Sequence, residues 1–265
     1  MKIGVFDSGL GGMLIADAIR NHLPDYDYVF LGDTLHVPYG KRSTQAIYSF
    51  TMQAIDALFK QDCHLIILAC NTASAAALRR MQQEYLPQAY PDRRILGVVV
   101  PMIETALAHG AERIGLIGTD YLIRSKIYED ELTKINPNVR LFHKATPLLV
   151  PILESHAQKW IKPVLEDYIA PLLEQDIQAL MLGCTHYAAL APVLNEMLPP
   201  SVSLLSQHGI IPGGVEDYLK RHPEHAEKLS KGGSIRYFVT DLTEDYPAVA
   251  SSILGKDVQL EHIML

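Results

Sequence analysis

Short apolar runs recur along the chain, each with the length of a strand buried on both faces. Ile3 to Phe6, Tyr28 to Leu31, Leu65 to Ala69 and Ile95 to Val100 are four of them. Between them, apolar residues return at helical spacing. One helix is expected from Met13 to Leu23, and another carries Ile47, Phe50, Ile55 and Leu58 behind a capping Ser43. Cys63 is read at a helix end before the third strand, and Pro101 as opening the next helix in its tolerated first turn.

At Ile114-Gly115-Leu116-Ile117-Gly118-Thr119 the pattern starts again, 111 residues after Ile3-Gly4-Val5-Phe6-Asp7-Ser8. A second repeat lies at nearly the same period. Leu65-Ile66-Ile67-Leu68-Ala69-Cys70-Asn71-Thr72 is echoed 114 residues later by Ala179-Leu180-Met181-Leu182-Gly183-Cys184-Thr185-His186. Two landmarks sharing one offset point to two similar halves, each ending one strand on a cysteine. Strands are expected at Val139 to Phe142, Leu180 to Gly183 and Val202 to Leu205, with a helix marked by Ile161, Val164, Leu165, Tyr168, Ile169 and Leu172. After His208-Gly209-Ile210-Ile211-Pro212-Gly213-Gly214 a helix follows. Ser234 to Val239 is then a strand and Thr243 to Leu254 a helix, a tail expected to rejoin the first half and complete its sheet. The expected fold class is α/β: two pseudo-symmetric three-layer α/β domains with mostly parallel central sheets, and an active site expected in the cleft between them. The domains are expected at 1–97 plus 209–265, and at 98–208.

Composition narrows the class without naming a chemistry. Of 265 residues, 48% are hydrophobic and 20% charged, as in ordinary globular enzymes. The net charge of −7 argues against nucleic acid or an acidic membrane as the main partner, though helix N-termini can still hold a small anion. No apolar run approaches the length that spans a bilayer, and the start has no secretory pattern. Three cysteines without an export signal point to the reducing cytoplasm.

The Asp7-Ser8-Gly9-Leu10-Gly11-Gly12 turn matches neither dinucleotide nor P-loop spacing, so a nucleotide is not expected. Cys70, Cys184 and His186 are metal-ligand types, but the chain has no C-x-x-C or H-x-x-x-H, and a metal is not expected. A thiol hydrolase would leave the second cysteine unexplained. Inverting a stereocentre needs a base on one face of a carbon and an acid on the other, and two thiols near their working pH can exchange those roles. Asp7 and His186 are candidates for tuning the thiols. Ser8, Thr72 and Thr185 could hold substrate carboxylates. No Schiff-base lysine is implied, so no cofactor is expected.

Phe6-Asp7-Ser8-Gly9-Leu10-Gly11-Gly12, Gly32-Asp33-Thr34 with Pro38-Tyr39-Gly40, Ala69-Cys70-Asn71-Thr72-Ala73-Ser74 and Leu182-Gly183-Cys184-Thr185-His186-Tyr187 together resemble the glutamate racemases of the aspartate/glutamate racemase family. The likeness extends to Tyr237-Phe238-Val239-Thr240-Asp241-Leu242. It implies a cofactor-independent racemase supplying D-glutamate for peptidoglycan, cytoplasmic and dimeric. Cys70 would act on the D-enantiomer and Cys184 on the L-enantiomer, assisted by Asp7 and His186, with Glu154 nearby. Asp7, Ser8, Pro38, Tyr39, Gly40, Asn71, Thr72, Thr185 and His186 would line the glutamate pocket. Ala188 stands where the family usually has proline, Thr146 where cysteine is frequent, and Ser206 where aspartate is common. The rival expectations are a racemase of aspartate or a hydantoin, and a non-catalytic ligand-binding or partner-inhibiting protein.

Overall fold

A computed structural model describes residues 1–155 and 157–265, with the Gln158 side chain left aside. The chain divides into two compact units, residues 1–98 with 211–265, and residues 99–210.

The first unit opens with β1 (Lys2–Asp7), α1 (Met13–His22), β2 (Tyr28–Gly32), α2 (Thr44–Lys60) and β3 (Cys63–Leu68). Ser43 caps α2, its side chain accepting from the Ala46 N–H at 3.2 Å. A continuous helical stretch then runs from α3 (Asn71–Ala73) to α4 (Leu86–Ala89), widened by π-turns at Ser74–Leu78 and Met81–Tyr85. β4 (Arg94–Gly97) follows. The second unit runs α5 (Val99–Ala108), β5 (Arg113–Gly118), α6 (Asp120–Ser125), α7 (Ile127–Ile135), β6 (Arg140–Ala145), α8 (Leu149–Glu154), α9 (Ile161–Leu173), β7 (Ala179–Gly183), α10 (Ala191–Met197) and β8 (Ser203–Leu205). The return into the first unit comprises α11 (Gln207–Arg221), α12 (Pro223–Ala226), β9 (Ile235–Val239), α13 (Tyr246–Leu254) and β10 (Leu260–His262).

Each unit is built on a fully parallel sheet. The first has the order β10-β9-β2-β1-β3-β4 and the second β6-β5-β7-β8. Stripped of the tail strands, the two orders are the same: each unit's first strand lies between its second and third, and the fourth closes the edge. The tail rejoins the first sheet, β9 pairing with β2 from Tyr28↔Ile235 to Gly32↔Val239. Helices cover the sheets, so the central strands are apolar throughout. Ile3, Val5 and Phe6 of β1 and Leu180, Met181 and Leu182 of β7 are buried. Among the described residues, no helix is long and apolar enough to cross a membrane.

Several elements depart from the pattern-based expectation. Cys63 is the first residue of β3, not a helix end. The apolar run from Ile95 breaks after Gly97, and helix begins at Val99, because Val99, Met102, Ile103 and Ala106 bury one helical face. The Gly/Pro-rich stretch at 208–214 lies inside α11. Ile211, Val215 and Leu219, spaced four apart, are buried in the first unit's core, and that burial outweighs poor local propensity.

Candidate active site

β3 delivers Cys70 to the carboxyl edge of the first sheet. Ser74 closes the strand end, its hydroxyl donating to the Leu68 carbonyl at 3.0 Å. Cys70 is the N-cap of the helix that follows, and its Sγ accepts from the Ala73 N–H at 3.4 Å. Donation of a main-chain N–H to sulfur at a helix start is an arrangement that favours thiolate chemistry. The Ser8 hydroxyl lies 3.3 Å from the same sulfur. The π-turn at Ser74–Leu78 begins one helical turn after this cap, a distortion frequent at functional sites.

Ser8 reaches Cys70 because β1 is the neighbour of β3, with Phe6 beside Leu68. Asp7, at the end of β1, has no exposed surface; its carboxylate accepts from the Gly12 N–H at 2.9 Å and the Gly9 N–H at 3.3 Å. The glycine at 12 is dictated by this closeness, since a Cβ there would lie 2.4 Å from the Asp7 Cβ. The Gly9 and Gly12 amides thus hold the Asp7 carboxylate beside Ser8, the neighbour of the thiol.

The segment after β2 is fastened by Asp33, also fully buried. Its carboxylate accepts from the Tyr39 hydroxyl at 2.5 Å, the Thr240 hydroxyl at 2.7 Å and the His36 Nδ1 at 2.9 Å. Burial, and then the Asp33 charge, push the Tyr39 phenol far above the usual range, so it stays protonated as a donor. Its ring packs against Phe6 and Phe50.

In the second unit β7 delivers Cys184, the N-cap of a six-residue 3₁₀ helix, Thr185–Leu190. Cys184 is half-buried, with its Sγ 3.8 Å from the His186 Nδ1. The other ring nitrogen, Nε2, lies 3.1 Å from the Glu154 carboxylate at the end of α8. A proton on Nε2 donated to Glu154 leaves Nδ1 facing the sulfur, able to take a thiol proton or return it. Glu154 is largely exposed, so the pair orients the ring more than it stabilises the fold. The arrangement is a sulfur–imidazole–carboxylate relay contained in one unit.

Both strand-end cysteines therefore carry the polar company that proton transfer needs. The family profile described as Asp/Glu/Hydantoin racemase matches residues 14–206, well over half of the chain and including both cysteine turns. The chain belongs to this racemase family. A glutamate racemase of Paracoccus denitrificans is 34% identical, with 98% of this chain and 99% of that protein covered. Among solved structures, a glutamate racemase of Bacillus anthracis superposes with a TM-score of 0.89 at 27% identity, covering 100% of this chain and 97% of that one. The Francisella tularensis glutamate racemase, crystallised in complex with D-glutamate, gives a TM-score of 0.87 at 28% identity over 99% and 97% of the two chains.

Against that background the residues named from sequence fall into two groups. Asp7, Ser8, Asn71 and Thr72 gather around Cys70 or its flanking turns. Thr185, His186 and Glu154 gather around Cys184. Asn71, Thr72 and Thr185 are buried. Pro38 is exposed and Gly40 half-buried, whereas Tyr39 is buried with its hydroxyl donating to Asp33. Cys63, the third thiol, is fully buried; burial pushes its pKa up to about 12 and leaves it an inert core residue. Sequence reasoning gave no role to Asp33, Thr240 or Tyr187. Asp33 was visible within the Gly32-Asp33-Thr34 motif, but its partner Thr240 lies 207 residues away.

Proposed function

We propose that the protein interconverts L- and D-glutamate without a cofactor, using Cys70 and Cys184 as paired acid and base. The observation that carries this is topological. The equivalent strand of two like-ordered sheets, β3 and β7, is followed within two residues by a cysteine in each unit, in a chain of the racemase family. In one direction the Cys184 thiolate takes the α-proton of L-glutamate. The C–H electron pair is held as a carbanion delocalised into the α-carboxylate, and the Cys70 thiol donates its proton to the opposite face. The reverse reaction exchanges the roles, which requires the two sulfurs to address opposite faces of one carbon. Asp7 and Ser8 support the first thiol, and the His186–Glu154 pair supports the second. Asn71, Thr72, Thr185 and the main chain at Pro38-Tyr39-Gly40 are assigned to holding the two substrate carboxylates. The product would supply D-glutamate for peptidoglycan in the cytoplasm, from a homodimeric enzyme.

Polarimetry on purified protein tests the substrate directly. With no cofactor added, rotation of L-glutamate decays to zero, whereas aspartate and hydantoins turn over at least about 100-fold more slowly. Faster turnover of aspartate or a hydantoin would reassign the substrate within the family.

A further inference from the structure

We propose that Thr146 and Tyr187 form a hydroxyl clamp that positions the Cys184–His186–Glu154 relay. The two side chains come from different strand ends of the second unit, and both are buried. Thr146 follows β6, and its Oγ1 lies 2.6 Å from the Tyr187 hydroxyl. The Thr146 hydroxyl also reaches the Gly118 carbonyl at 3.1 Å, and the Tyr187 hydroxyl the Thr146 carbonyl at 3.2 Å. Gly118 ends β5 and is paired with Ala145 on one side and Gly183 on the other, so the clamp ties the ends of β6 and β7 across the central strand.

Each half of the clamp is continuous with one arm of the relay. The Thr146 carbonyl accepts from the Leu149 N–H at 3.2 Å, which starts α8, and α8 ends on Glu154. The Tyr187 N–H donates to the Cys184 carbonyl at 3.1 Å, closing the turn that holds His186 between them. One hydroxyl contact therefore sets the spacing of the carboxylate arm against the thiol–imidazole arm. The Tyr187 phenol is pushed well above its ordinary range by burial and then by the Cys184 charge, so it acts as a neutral hydrogen-bonding group and carries no proton for the reaction. Thr146 and Tyr187 are positioning residues, and the inference rests on the two-thiol reading for its catalytic meaning.

Two readouts test it. In a Cys70→Ser background, the rate of Cys184 alkylation by iodoacetamide at neutral pH is expected to fall about fivefold with Thr146→Val and to recover with Thr146→Ser. Tyr187→Phe probes the same bond from the other side while keeping the buried ring, and is expected to lower the rate likewise. In the enzyme with both cysteines, Thr146→Val is expected to raise the primary isotope effect with L-[2-²H]glutamate and leave that with D-[2-²H]glutamate unchanged. A structural role alone would lower thermal stability without this asymmetry. Alkylation rates in folded Thr146→Val and Tyr187→Phe that equal or exceed the parent's overturn the clamp. Absence of glutamate racemisation by the unmodified enzyme would instead overturn the substrate reading, with alkylation still reporting on the clamp.

Discussion

A carboxylate with no exposed surface needs donors around it, and Asp33 has Tyr39, Thr240 and His36. Through Tyr39 it holds the segment whose main chain is assigned to the substrate, so stability and affinity depend on the same bond. Tyr39→Phe keeps the ring packing but removes one donor from a buried charge, at a cost of about 1–3 kcal/mol. A melting temperature lower by several degrees and a raised KM for glutamate with a smaller change in kcat are expected. Unchanged values of both would detach Asp33 from the site. None of this was legible beforehand. The motif around Asp33 stands out in the sequence, but no local spacing encodes a bond to Thr240. Tyr39 is placed in the pocket by resemblance alone, and nothing local marks its hydroxyl as a donor to Asp33. The placement of Cys70 and Cys184 after equivalent strands was legible because their surroundings repeat.

At the scale of elements, β3 and α12 meet through two histidines. His64, fully buried on β3, places its Nε2 3.0 Å from the His225 Nδ1, and its own Nδ1 has no hydrogen-bond partner among the described residues. Burial first, and then the neighbouring His225, push the His64 pKa down to about 4; burial also lowers that of His225. The groups facing the pair are Arg93, Arg94, Lys228, His222 and Glu224, and among those bearing on His225 only Glu224 favours the charged form. An unfolded histidine titrates near 6.5, so between about pH 6.5 and 4 the unfolded chain binds protons that the folded chain does not. Stability is therefore present above this window and is lost as pH falls through it, by on the order of 2 kcal/mol for His64 once pH 5 is reached. Urea midpoints at pH 7.5 and pH 5 measure the loss, and His64→Gln is expected to flatten the difference. An equal slope in the variant would remove the pair as its source. The strands themselves were legible because parallel strands buried on both faces read as unbroken apolar runs. α11 was obscured by Pro212 and its glycines, and β10 by having only three residues, two of them polar or charged.

At the scale of the molecule, the offsets of 111 and 114 residues in the sequence correspond to β1 with β5 and β3 with β7, the same positions in two like-ordered sheets. The parallel α/β class was legible from that repeat, and family membership agrees with it. The tail strands β9 and β10 extend only the first sheet, so the repeat lies in the four strands that each sheet shares. What the repeat means chemically rests on the thiols, because a thiol carries a single exchangeable proton. In the proposed two-thiol mechanism, the base that takes the substrate's α-hydrogen returns only that hydrogen to the same face, and the other thiol delivers one drawn from solvent.

Proton NMR of L-glutamate with the enzyme in heavy water, without added cofactor, reads this directly. The expected result is deuterium at the α-carbon of the D-glutamate formed and none in L-glutamate recovered early in the reaction, with Cys70→Ser and Cys184→Ser each lowering racemisation at least about 10³-fold. Persistence of the α-proton, early deuterium in recovered L-glutamate, or racemisation at the parent rate by either variant would contradict the two-thiol account.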